Sequence, residues 1–156
     1  MLKIITQTEV DLDYKKEIIM KLKNKEVYNA VNALNSFGNE KLPAKLAWRI
    51  NTARTSLQPF FDRLQESLDE TRLKHALTDK KGNAIPGKDE NGKPVENTIQ
   101  IDPKKIEDFN KEISDLLDEV VEVNNVEISI SSFPDSLELT PNTMAGLQPL
   151  ISDFYN

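Results

Sequence analysis

Residues 43–68 read PAKLAWRINTARTSLQPFFDRLQESL. Leu46, Ile50, Ala53, Leu57, Phe60, Phe61, Leu64 and Leu68 recur there at steps of three and four, which places them on one stripe of an α-helix. Pro43 suits the first turn, where its missing N–H has no partner to lose. The pattern predicts a helix from Pro43 to about Leu73 or Leu77, roughly 45 Å or more at about 1.5 Å per residue. Pro59 removes one hydrogen bond and crowds the preceding turn, so a bend is expected near Ser56 to Pro59.

Upstream, Asn24 is placed to cap a short helix carrying Val27, Tyr28, Val31 and Leu34, with Gly38 placed to end it. Before that lie two apolar clusters, Leu2, Ile4 and Ile5 and then Ile18, Ile19, Met20 and Leu22, of which at least one reads as a strand. Downstream, residues 78–101 hold Gly82, Gly87, Gly92, Pro86 and Pro94 among Lys, Asp and Asn, and read as a long exposed, flexible loop. Asn91-Gly92 is a tight-turn pair, but its flanks lack the alternation of a strong hairpin. No internal repeat is evident.

Asp102-Pro103 restarts a helix, with Asp102 as cap and Ile101 able to staple onto Ile106. Ile106, Phe109, Ile113, Leu116, Leu117 and Val120 form its apolar stripe, and the simplest partner is the Pro43 helix, antiparallel across the loop. Charge agrees with that pairing. Lys41, Lys45, Arg49 and Arg54 belong to the start of the earlier helix, whereas Asp115, Asp118, Glu119 and Glu122 belong to the end of the later one. Each cluster lies at the helix end its own dipole disfavours, so intramolecular pairing, with Arg49 near Asp118, is expected. Val126, Ile128 and Ile130 then alternate with polar residues as a strand within 121–131 pairing with the N-terminal segment. Thr140-Pro141 opens a last helix with Met144, Leu147, Leu150, Ile151 and Phe154. The expected fold is a mainly helical α+β single domain over 1–156: a long antiparallel helix hairpin, a short N-terminal helix, a C-terminal helix and a small β-sheet.

Composition narrows the function. The 156 residues are 29% charged and 38% apolar, enough for one folded domain. A net charge of −6 disfavours a general nucleic-acid binder. The chain has no cysteine, so it has no disulfide, thiolate nucleophile or Cys-based metal site. The opening residues turn polar too soon for a signal peptide and no run approaches a membrane span, so a soluble cytoplasmic protein is expected.

Motif by motif, catalysis finds little footing. Residues 87–94, GKDENGKP, have the glycine and lysine spacing of a phosphate-binding loop, but Pro94 stands where Ser or Thr would hold magnesium and no strand-to-helix context surrounds it. The oxygen ligands of an EF-hand are not at their positions either. His75 is the only histidine and reads as a surface or helix-end imidazole, without the partners of a triad or metal site. Asp115 with Asp118, or Asp118 with Glu122, could do acid–base work if buried together, but their helical spacing reads as a solvated face. No catalytic residue, cofactor or metal ligand is assigned, and the chain is expected not to be an enzyme. Lys41, Lys45 and Arg49 beside Trp48 form the candidate interaction surface, a small basic face with one aromatic.

The runs Leu42 to Ile50 (LPAKLAWRI), the Gly/Asn/Asp-rich loop, Phe109 to Val123 (FNKEISDLLDEVVEV) and Leu139-Thr140-Pro141 through Ile151 resemble a family of small, mostly uncharacterised proteins encoded by tailed bacteriophages. The resemblance covers roughly residues 18–151, and Met1 to Lys16 go beyond it. It implies a viral origin and a compact accessory role in the host bacterial cytoplasm or the virion. The function expected on this footing is a non-enzymatic interaction protein, a virion component or assembly factor, binding copies of itself or another protein through helix faces. The alternative is an antidefence protein that blocks a host protein or holds a small signalling molecule.

Overall fold

Ile19-Met20-Lys21-Leu22-Lys23 alternates in side-chain direction and forms strand β1 (Ile19–Lys23), the first element in a computed structural model that describes residues 19–152. Its antiparallel partner β2 (Val120–Asn124) sets Ile19 opposite Asn124 and Lys23 opposite Val120. Met20 and Leu22 therefore share the inner face with Val121 and Val123, where Leu22 and Val123 are buried. The cluster Leu2, Ile4 and Ile5 and the terminal Phe154 lie outside the described residues.

The strand expected over 121–131 stops early. Asn125 adopts φ 59°, a left-handed conformation incompatible with extended pairing, and it redirects the chain. Val126 and Ile128 are buried all the same, Ile128 bridging Ile151 in parallel, while Ile130–Ser132 makes one 3-10 turn.

Helix α1 (Asn24–Asn35) follows β1 directly, with Lys23 rather than Asn24 as its N-cap. The Lys23 N–H donates to Glu26 Oε1 at 2.9 Å. Asn24 serves a tertiary contact instead, its Nδ2 donating to the Leu116 carbonyl at 2.8 Å. Burial at Val27, Ala30, Val31, Ala33 and Leu34 takes in neighbouring positions, so it exceeds a single stripe. A helix buried over so much of its circumference must be surrounded.

Three helices do this. Helix α2 (Ala44–Lys74) is 31 residues, about 46 Å, and remains helical through Pro59. Leu46, Ile50, Ala53 and Leu57 share one core cluster with α1, and Leu64 and Leu68 continue the buried stripe. Helix α3 (Ile106–Asp118) enters through a 3-10 turn, Pro103–Lys105, where Asp102 Oδ1 accepts the Lys104 N–H at 3.0 Å. Helix α4 (Pro141–Leu147) starts as expected, with Thr140 Oγ1 accepting the Thr143 N–H at 3.2 Å. Gly146 lets α4 close on α1: a Cβ there would lie 2.8 Å from both Ala33 Cβ and the Asn29 carbonyl oxygen. The fold is α+β and mainly helical, as expected, but its centre is α1 rather than the 43–68 stretch.

The connector between α2 and α3 is built from two like turns. Asp79 Oδ1 accepts the backbone N–H of Lys81 at 2.9 Å and of Asn83 at 3.0 Å. Asp89 Oδ1 accepts those of Asn91 at 2.9 Å and Lys93 at 2.8 Å. Gly82 and Gly92 follow with φ of 82° and 77°, the left-handed position that closes such a turn and favours glycine. The sequence thus does contain a repeat, residues 78–85 (TDKKGNAI) and 88–95 (KDENGKPV). Between the turns, three extended segments close a ring of backbone hydrogen bonds: Ile85 N–H to Leu77 O at 2.9 Å, Gln100 N–H to Ile85 O at 2.8 Å and Leu77 N–H to Gln100 O at 2.8 Å.

Candidate functional site

The start of α2 carries a bare aromatic. Leu46 and Ile50 are buried, and Trp48, two residues from each and so about 200° around the helix, points to solvent at 74% exposure. Lys45 lies beside it on the same outer face, and Lys41 just before the helix is exposed too. Arg49 is different. It is half-buried, and its guanidinium donates to the Glu127 carbonyl, tying α2 to the segment after β2. Of the four residues of the candidate surface, Lys41, Lys45 and Trp48 face outward and Arg49 holds their support in place.

Within α2 this patch is cationic, with Glu40 directly before Lys41 and Glu127 against Arg49. No acidic residue occurs between Lys41 and Phe61, and no carboxylate occupies the first turn of α2. The cations therefore add to the positive end of the helix dipole. Donors dominate as well, since ammonium groups and the indole N–H can only donate.

The acidic residues of α3 were expected to meet this cluster, and they do not. Asp118 pairs with Lys25 at 3.2 Å and Lys23 at 4.0 Å, and Arg54 donates to Asn51 Oδ1 at 3.0 Å. The reason is length. A helix of 13 residues, about 20 Å, lies against one of 31 residues and covers only the later half of it. Lys74 Nζ meets Glu112 Oε1 at 2.8 Å, fixing α3 to that far end. Ser67, Glu70 and Thr71 of α2 and Asp115, Leu116 and Glu119 contribute to an open cleft of about 570 Å³. Lys45 stands about 35 Å up the helix from it. Among the described residues, the carboxylates of Glu70, Asp115 and Glu119 have no ion-pair partner.

Residues weighed for catalysis have other occupations. His75 ends α2 as expected but is buried, with Nδ1 2.9 Å from the Thr71 carbonyl oxygen, Nε2 3.7 Å from Glu112 Oε1 and its ring edge-on to Phe109. The hydrogen bond from Lys74 holds the Glu112 carboxyl below the ordinary value of 4.5, opposed by partial desolvation and helped by the charges of Lys74 and His75. Asp115, Asp118 and Glu122 are exposed. Residues 87–94 form a hairpin with Lys88 opposite Pro94, and its N–H groups turn inward to Asp89 rather than outward to a phosphate. Among the described residues no group of three or more acidic or histidine side chains could hold a metal ion, and no helix is long and apolar enough to cross a membrane.

Compared with known proteins, the chain matches no family model, no curated protein and no solved structure. The acidic cleft was missed from sequence because it depends on which half of α2 the shorter helix covers. The visible signal was α3's shortness beside α2.

Proposed function

We propose that this protein is a non-enzymatic interaction protein of a tailed bacteriophage, a virion component or assembly factor that docks a protein partner on the outer face at the start of α2. Trp48 carries the reading. A tryptophan 74% exposed on a rigid helix, with lysines beside it, is the residue type that anchors protein interfaces. The resemblance of residues 42–50, the Gly/Asn/Asp-rich loop, 109–123 and 139–151 to small phage proteins supplies the setting. On this reading the later half of α2 and α3 form an antiparallel hairpin that braces the docking helix, with Lys74 and Glu112 as one of its ties.

Mass spectrometry of purified particles tests the setting, and presence of the chain is the expected result. Absence there, with expression before particle assembly, favours the antidefence alternative. The surface is tested by the fluorescence of Trp48, the only tryptophan. Adding the particle protein recovered with the wild-type chain is expected to shift its emission to the blue. Trp48→Phe with Lys45→Glu is expected to lose that protein, and retention would remove the surface from consideration.

A further inference from the structure

The basic end of α2 and the acidic cleft at its other end are complementary, and one molecule cannot bring them together. Their separation of about 35 Å along a rigid helix is several times the roughly 8 Å over which exposed charges feel each other at physiological salt. We infer that they meet between copies: Trp48, Lys41 and Lys45 of one molecule seat in the cleft bounded by Glu70, Asp115 and Glu119 of the next. This deepens the proposed use of the Trp48 surface, which it requires, by naming a second copy of this chain as an occupant.

The match is chemical as well as electrostatic. Lysine ammonium groups and the indole N–H only donate, and ionised carboxylates only accept. Leu116 contributes apolar surface among the cleft's acids, against which an indole ring can lie. Glu112 and Asp118 also line the cleft but are engaged by Lys74 and by Lys23 and Lys25. That leaves Glu70, Asp115 and Glu119 for the incoming cations.

Both surfaces are on every copy and they differ, so two copies related by a two-fold axis can make the contact twice, and any other arrangement leaves one free surface of each kind. The product is a closed dimer in the first case, and otherwise a ring if the rotation closes and an open string if it does not. Rim charges of this sort govern association rate and salt dependence, so assembly belongs to low ionic strength.

The test uses the whole chain in sedimentation velocity. The wild type is expected to associate with rising concentration at low salt, with Trp48 emission moving to the blue, and to revert at high salt. Lys41→Glu with Lys45→Glu makes both surfaces acidic, and Asp115→Lys with Glu119→Lys makes both basic. Each double variant alone is expected to associate roughly tenfold or more weakly. Their equimolar mixture is expected to associate again, because the native patch of one fits the native cleft of the other. Circular dichroism melts check that both variants are folded. Wild type that stays monomeric at low salt, assembly that leaves Trp48 emission unmoved, or a mixture no better than its components overturns patch-to-cleft docking. Particle binding that still depends on Trp48 would then leave the wider function standing, so the two ideas fail separately.

Discussion

Helices α1 and α3 are nearly equal in length, 12 and 13 residues, yet α1 holds six buried residues and α3 none. Amphipathicity does not explain this, since Ile106, Phe109, Ile113, Leu116 and Leu117 make as orderly a stripe as any in the chain. Neighbours explain it. Ala33 on α1, with Gly146 opposite, lets α4 approach on one side while α2 covers another. On α3 the stripe meets only what lies on one side, and the remaining surface is charged. Its inner edge leaves an open groove of about 320 Å³ beside Phe109, Ile113 and Leu117, with Tyr28, Leu68 and Arg72 across from them. The lesson is that an apolar stripe fixes which side of a helix faces in, and the number of surrounding elements fixes how completely it is buried.

Truncating each helix sharpens that contrast. Leu34→Ala removes a side chain 1% exposed in α1 and is expected to cost about 2–5 kcal/mol in urea unfolding. Gly146→Ala forces a methyl into the Ala33 and Asn29 contact, with an expected cost of about 1–3 kcal/mol by the same measurement. Leu117→Ala removes the same atoms as Leu34→Ala from a half-buried site and is expected to cost roughly 1 kcal/mol. Equal losses for Leu34→Ala and Leu117→Ala would break the comparison.

The smaller effects are electrostatic or confined to the surface. Because Glu112 titrates below 4.5 in the folded chain, its pairing with Lys74 stabilises fully above the unfolded value and is lost as pH falls through the folded one. Glu112→Gln is therefore expected to flatten the acid limb of a stability–pH profile and to leave the profile near neutrality with the same shape. Trp48→Ala is expected to change stability by less than about 0.5 kcal/mol, because its side chain supports nothing beneath it. A larger loss in the thermal or urea midpoint would make Trp48 part of the fold and weaken its assignment as a docking residue.

Local chemistry was legible in the sequence. Thr140-Pro141 and Asp102-Pro103 start helical turns because a cap and a fixed φ act within four residues. The apolar periodicity of α2 likewise needed no partner to be read. What escaped depended on tertiary placement. Asn24 looked like a cap but is used against Leu116, and the Arg49 to Asp118 pairing failed because α3 covers the other half of α2. The strand after α3 ends at Asn124, and the left-handed backbone of Asn125 shifts the inward positions from Val121 and Val123 to Val126 and Ile128. The Asp79/Gly82 and Asp89/Gly92 repeat was readable in principle, but its signal lies in turn residues rather than in apolar periodicity. Of the candidate surface, the exposure of Trp48 and the role of Arg49 against Glu127 both came from the structure, although the two-residue spacing of Trp48 from Leu46 and Ile50 puts it off their stripe.

Native-state hydrogen exchange across α1 and α3 tests the account most directly. Amides of Val27 to Leu34 are predicted to exchange only on global unfolding, and those of Phe109 to Leu117 through a lower-energy local opening. Equal protection of the two helices, or greater protection of α3, would contradict it.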